Sequence, residues 1–405
     1  MKLSPTVITF VTTCLLCGLA GAFMTPLLTL YLTEALEAKP LMVSVFLCLS
    51  ITSGILVSQW IATFSDRGIA RKKLILLGLV CTLVASLVFA ATRSYVVALT
   101  VAIAIFSFNA LTLPQIFALI REYADSQPDT DSHLLMTSSR ACIAIAWVLG
   151  PPLAFICHDA YGFTFTFAIS AAISLVNIIL VVFMLPDVKT QTGDTTDKDS
   201  DTNQARVASF TPWYTIPKVV LFALAVWLMF FANNLYIISL PLYIMNEMQV
   251  ASSWVGKLFG LAAFIEIPIM IGGGLLVKYF GAKRMVAFGV TCGVIFSLAM
   301  SQTTAIWQMF VLQILNGIFI GTTATLGMVI LQDMMPTQRG VATTLFSNGI
   351  QLGTLTAALA FGFIGEYINY HFAFYLSAGA TSISLLLIVV PSLVLRHQSR
   401  KSLST

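Results

Sequence analysis

The sequence predicts an all-α membrane protein, with twelve transmembrane helices in two pseudo-symmetric six-helix bundles. Three observations predict it. Hydrophobic residues make up 58% of the chain and charged residues 9%, with a mean hydropathy of +0.92, whereas a soluble domain carries about 25% charged residues. Apolar runs of roughly 20 residues, the length that crosses a bilayer, recur along the chain in two groups of six. Finally, the two groups carry related loops at an offset of about 212 residues, the mark of parallel repeats joined by a linker.

In order, the first group is Thr6–Leu32, Leu41–Phe64, Leu74–Ala91, Tyr95–Ile120, Met136–His158 and Phe163–Leu185. The opening run is too long for a signal peptide and lacks a small-residue cleavage site, so it is expected to remain as an anchor. Span five carries Arg140 about one turn inside its start. It also carries Gly150-Pro151-Pro152, which should bend the helix and let neighbours approach closely. The stretch 186–216 contains TQTGDTTDKDSDTNQ, too polar to bury a core, and reads as a flexible linker. The domains are therefore 1–185 and 217–405. The second group is Pro217–Met245, Trp254–Tyr279, Arg284–Ser301, Ala305–Leu331, Val341–Ile364 and Phe372–Leu395.

Span eight holds Glu266 at its midpoint. A charge at the centre of a bilayer costs roughly 2.5–3.5 kcal/mol on insertion scales unless a partner, water or a proton relieves it. Either Glu266 is neutral and hydrogen-bonded between helices, or it is a proton or substrate site; we adopt the second as the expectation. Arg140, nearer a helix end, could instead snorkel to the interface.

Lysine and arginine set the orientation. One side collects Lys2, the Arg67–Lys73 cluster, Arg121, the linker's basic residues, Lys218, Lys278, Lys283, Arg284, Arg339 and the C-terminal Arg396, Arg400 and Lys401. The other receives Lys39, Arg93 and Lys257. The positive-inside rule then puts both termini and the linker in the cytoplasm.

Several function classes are excluded. No basic tract suggests nucleic acid. The seven cysteines, at 14, 17, 48, 81, 142, 157 and 292, lie in apolar runs without ligand spacing, and the lone CxxC of Cys14 and Cys17 reads as helix packing, so neither metal nor cofactor is expected. His133, His158, His371 and His397 fall at span ends or in loops, and none reads as a ligand. No phosphate loop argues for an ATP-driven pump, no catalytic constellation for an enzyme, and no sizeable soluble domain for a sensor.

The loop ATFSDRGIARKK (Ala62–Lys73) lies over GLLVKYFGAKR (Gly274–Arg284) between spans two and three of each half. With Asp66-Arg67 and Arg71-Lys72, it resembles the cytoplasmic loop signature of the major facilitator superfamily. The second copy departs from that signature, with Lys278 where an acid is usual. More specific stretches are similar to the bacterial sugar efflux transporters, the Set family, within that superfamily: GAFMTPLLTLYL, LPQIFALIREYAD, RACIAIAWVLGPPLAFI, NNLYIISLPLYI, FIEIPIMI and LQDMMPTQRGVATTLFSN. The resemblance implies the major facilitator fold, a monomer in the bacterial inner membrane, and two bundles rocking about a central cavity to export sugars or glycosides by proton antiport. A proton-coupled multidrug efflux facilitator is the alternative, and it would favour an apolar, aromatic cavity.

The resemblance also implies that spans one, four, seven and ten line that cavity. Candidate substrate-binding residues are Asn109 and Gln115 in span four, Asn233, Asn234 and Tyr236 in span seven, and Gln313 and Asn316 in span ten, with Asn348 and Gln351 in span eleven. Amides suit a sugar because they offer donors and acceptors to hydroxyls, while an aromatic such as Tyr236, Trp147 or Trp227 covers the apolar ring face. The same amides could instead hold helices together in lipid. Glu266 and Arg140 are the expected proton-coupling pair, since the resemblance packs span five against span eight. Asp66, Arg67, Arg71 and Lys72, with Asp333 and Arg339 at the opposing loop, are expected to gate the cytoplasmic side.

Overall fold

The computed structural model describes residues 5–65, 70–127, 132–186, 212–336 and 338–402. Most of the expected linker, Asp66 and Arg67, and the side chain of Arg339 lie outside the described residues. The described chain is helical throughout: α1 (Pro5–Leu30), α2 (Pro40–Ser65), α3 (Arg71–Ala91), α4 (Tyr95–Ala104), α5 (Thr112–Ser126), α6 (Ser132–Met184), α7 (Pro217–Leu242), α8 (Ser253–Phe280), α9 (Ala282–Met300), α10 (Ile306–Met334), α11 (Arg339–Tyr367) and α12 (Phe372–Ser402), with short 3₁₀ and π segments between some of them.

Two elements depart from one helix per expected span. Span four is broken: α4 and α5 are joined by a 3₁₀ segment, Phe106–Leu111. Pro114, in the first turn of α5, has no N–H to give the carbonyl four residues back, which favours the tighter turn before it. Spans five and six are one 53-residue run, α6. At 1.5 Å per residue that is about 80 Å, far more than a hydrocarbon core of about 30 Å. Gly162 resolves the excess with φ 77° and ψ −179°, a conformation that glycine adopts without penalty, and the chain turns back there as two crossings. Ten stretches among the described residues are long and apolar enough to span a membrane, and the one over Ser138–Met184 contains both of these crossings. The stretch missing from the ten is α11, which carries Thr343, Thr344, Asn348, Gln351, Thr354 and Thr356 and packs on α2 and α7.

The two halves repeat in detail. Both α1 and α7 end in a π turn, Tyr31–Ala35 and Tyr243–Glu247. Tyr31 donates to the Thr92 carbonyl at 3.1 Å and Tyr243 to that of Thr303 at 3.4 Å. Each turn is followed by a left-handed residue, Glu37 at φ 51° and Gln249 at φ 56°. Deeper in, Ser170 donates to the Ala20 carbonyl (3.1 Å) and Ser377 to that of Ala232 (3.2 Å). Asn177 bonds the Thr13 carbonyl (3.3 Å) and Ser384 that of Ala225 (3.0 Å). These bonds tie the second arm of α6 to α1, and α12 to α7, satisfying polar groups that lipid cannot.

The halves meet along two seams, α6 on α8 and α2 on α11. Both have close contacts toward the face bearing the Thr92, Gly162 and Thr303 turns, at the opposite end of the helices from the start of α3 and the Gly281 turn between α8 and α9. Gly256 and Gly260 of α8 lie against Pro151, Pro152 and Val148 of α6. Across the second seam, Ser44 donates to the Ala358 carbonyl, and Gly362 and Gly365 lie against Ser44 and Pro40.

Candidate functional site

Between the seams lies a two-lobed cavity. The smaller lobe, about 290 Å³, is walled by α1, α6, α7, α8 and α10, and includes Trp147, Asn233, Tyr236, Phe259, Glu266 and Asn316. The larger, about 540 Å³, lies between α1, α2, the 3₁₀ segment, α5, α7 and α11. Its polar lining includes Ser50, Ser58, Gln59, Asn109, Asn234 and Gln351. Pro26 and Ile237 belong to both walls and form a waist between the lobes.

Among the described residues, Glu266 is the one acidic or basic side chain in either wall. Its carboxyl makes no hydrogen bond or ion pair among the described residues, so any relief must come from what enters the lobe. Arg140 lines neither lobe. It sits one turn before Ala144, which does, and its guanidinium lies over the Phe117 ring at 5.5 Å. The structure therefore does not bring Arg140 and Glu266 into contact.

The predicted amides divide into spare and spent. The Asn109 oxygen accepts from Thr82 (3.1 Å), leaving its NH₂ for the larger lobe. Asn234 donates to the Phe230 carbonyl at 2.8 Å, leaving its oxygen. Asn233 and Gln351 make no hydrogen bond among the described residues. By contrast, Gln313 is fully buried outside both lobes and collects its neighbours: its oxygen accepts from Tyr236 (3.2 Å) and from Asn316 (3.0 Å), and its NH₂ bonds the Met309 carbonyl (3.1 Å). This buried triad ties α7 to α10, so much of the capacity of Tyr236 and Asn316 is used internally. Gln115 accepts from Arg71 at 3.2 Å. Asn348 lines a separate hollow with Trp213 and Gly340. Trp147 lines the smaller lobe, whereas Trp227 donates to Thr356 at 3.0 Å.

Sequence reasoning missed the contribution of α2. Ser50, Gly54 and Ser58 recur every fourth residue and so share a helix face, and all three line the larger lobe. Ser50 Oγ is enclosed without a hydrogen-bond partner among the described residues, an uncommon state for a buried hydroxyl. The four-residue spacing was visible in the sequence.

Among the described residues, two loop cations have partners within their own half. Arg71 Nε pairs with Glu122 at 2.6 Å. Lys72 caps the end of α6 through the carbonyls of Val182 (3.2 Å) and Leu185 (2.7 Å). Asp333 is exposed in the last turn of α10.

Membrane-spanning helices in two repeated halves, with a cavity at their seam, define a membrane transporter. Comparison with known proteins agrees. The family model described as Major Facilitator Superfamily matches residues 9–302 and 222–404. Sugar efflux transporter A of Escherichia coli is 36% identical over 88% of each chain. Sugar efflux transporter B of Salmonella typhimurium is 36% identical over 90% of each, and sugar efflux transporter C of Escherichia coli is 35% identical over 93% of each. Among solved structures, the nucleoside transporter NupG superposes with a TM-score of 0.78 at 12% identity, covering 96% of this chain and 99% of that one. A bacterial homologue of the iron transporter ferroportin, inward-facing, gives 0.74 at 15% identity, with coverage of 96% and 99%. At such identities the structures speak for the fold alone.

The chain belongs to the Major Facilitator Superfamily, and within it to the family of the bacterial sugar efflux transporters. It is a multi-pass secondary transporter, not an enzyme.

Proposed function

We propose that this protein exports sugars or glycosides from the cytoplasm by alternating access, driven by protons moving the other way through Glu266. The observation that carries the reading is the division of the seam cavity. One lobe sets hydroxyls and amides, several with bonding capacity to spare, in an otherwise apolar wall, and the other holds a carboxylate with no hydrogen-bond or ion-pair partner among the described residues. Sugar hydroxyls need paired donors and acceptors, and the polar groups of the larger lobe offer both. The relatives' names point to the same substrate class.

In this reading the basic loops face the cytoplasm of a bacterial inner-membrane protein, with both termini and the linker on that side, and the halves 1–185 and 217–405 move as bodies. The chain works as a monomer. Arg71 and Lys72 hold their own half rigid at the cytoplasmic loop. With Asp66, Arg67, Asp333 and Arg339, they are the gating candidates there. Arg140 stands at the start of α6, and any influence on Glu266 acts over distance.

A second reading has its own observation. The smaller lobe sets Trp147, Tyr236 and Phe259 around Glu266, a surface that would suit a lipophilic cation. Counterflow in proteoliposomes of labelled lactose, a glucoside and a cationic dye separates the two. Sugar counterflow without the dye supports export of sugars; dye counterflow alone replaces that reading with multidrug efflux.

The spare and spent groups should also respond differently to mutation. Asn109→Ala and Gln351→Ala are each expected to weaken sugar binding several-fold, since one net hydrogen bond is worth about 0.5–1.5 kcal/mol. Asn316→Ala removes a donor to Gln313 and should lower the melting temperature, with a smaller change in affinity. Binding isotherms and thermal melts on the same detergent-purified variants check both. A reversed pattern would move the sugar to the smaller lobe.

A further inference from the structure

The face opposite the basic loops carries a polar cluster that the transport site does not use. Glu34 at the end of α1's π turn, and His158 and Asp159 near the turn at Gly162, come from the N-terminal half. Ser252 and Ser253, at the start of α8, come from the other half. A helix start leaves its first N–H groups without intrahelical partners and favours a negative charge beside them. Ser252 does not meet that need itself: its backbone is helical, at φ −62° and ψ −26°, and its side chain makes no cap bond. Asp159 meets it from across the seam. Its Oδ2 accepts the Ser253 N–H at 2.8 Å, and its Oδ1 accepts the Ser252 hydroxyl.

Two neighbours hold this arrangement. His158 Nδ1 lies 3.1 Å from Ser252 Oγ and 3.6 Å from Asp159 Oδ1, while Nε2 lies 4.0 Å from Glu34. The imidazole packs on Phe163 with ring centroids 4.1 Å apart. Ser252 is only 1% exposed, so this contact exists only while the two halves are together.

We propose that Asp159 is a detachable cap for α8, a positioning residue that latches this face shut and is released each time the face opens. The inference rests on the alternating-access reading given above. The helix that Asp159 caps is the one that carries Glu266, about 13 residues or 20 Å further along at 1.5 Å per residue, so the state of the latch and the position of the carboxylate are set by one rigid element. Release is not prohibitively costly, because serine is among the best N-cap residues. Once Ser252 no longer donates to Asp159, a backbone rotation lets its own oxygen take over the cap. The helix start is therefore served from the other half in the closed state and from within in the open one.

The test measures the distance between spin labels at Ala160→Cys and Ala251→Cys, both exposed on this face, in a background whose native cysteines are replaced. Asp159→Ala should shift the distance distribution from the short to the long population by roughly tenfold, the scale of losing one charge-assisted hydrogen bond. Asp159→Asn, which keeps an acceptor but not the charge, should fall between, and it serves if the alanine variant does not fold. An unchanged distribution in both variants overturns the proposal, as does a loss of thermal stability with no change in the short fraction. The distance readout needs no transport. If wild type moves no sugar while Asp159→Ala still opens the face, the exporter reading fails and the latch stands.

Discussion

Gly256→Ala is expected to abolish sugar counterflow while leaving the protein folded in the membrane. A Cβ at position 256 would lie 2.8 Å from the Pro151 carbonyl oxygen and 2.8 Å from Pro152 Cα. Both are backbone atoms of a proline pair in α6, and neither can swing aside as a flexible side chain would. The methyl group must push α8 away from α6 on the face where Asp159 caps α8. Within α8 itself the change is favourable, because alanine exceeds glycine in helix propensity by about 1 kcal/mol. Loss of function would therefore mean that the halves cannot close, not that the helix unwinds. Counterflow needs both access states, so it should fall by at least tenfold, with normal membrane levels and a distance distribution on the closed face moved to long values. Wild-type counterflow in this variant would show that the α6–α8 contact is not part of the cycle.

Glu266→Gln should separate exchange from accumulation. Glutamine keeps the size and hydrogen-bonding ability of a protonated glutamate but has no proton to release. With the sugar in the larger lobe, beyond the waist at Pro26 and Ile237, affinity should change less than twofold and counterflow should persist. An interior-acid gradient, which drives sugar into wild-type proteoliposomes as protons leave, should drive no accumulation in the variant. Uphill movement at near wild-type rate would remove Glu266 as the coupling site and turn attention to Glu34, Asp66 and Asp333.

Much of the fold was legible because bilayer thickness fixes helix length. Span after span could be counted from apolar runs alone, and α11, the least hydropathic, still read as a run from Val341 to Ile364. The break in span four was less visible. It depends on the consequence of Pro114 for the turn before it, and in other contexts a helix absorbs a proline as a mild kink. The π turns after α1 and α7 have no compositional mark.

In the site, spacing showed which residues share a helix face but not what that face meets. Gln313 and Asn316, three apart, do share one, and part of it is turned to Tyr236 rather than to the cavity. Gln115 looked like a cavity amide because its partner, Arg71, lies 44 residues away in sequence. Ser50, Gly54 and Ser58 were passed over because attention fell on spans one, four, seven and ten. The pairing of Asp159 with Ser252 joins positions 93 residues apart across the seam, and only packed halves reveal it.

The central claim is that sugar and proton move in opposite directions through one seam cavity. Its most direct test is proton flux itself. Proteoliposomes holding a pH-sensitive dye, with a sugar gradient imposed and no pH gradient at the start, should alkalinise or acidify according to the direction of that gradient. Sugar moving out should bring protons in, wild type should respond, and Glu266→Gln should move sugar without changing internal pH. Sugar flux in wild type with no accompanying proton movement would contradict the account.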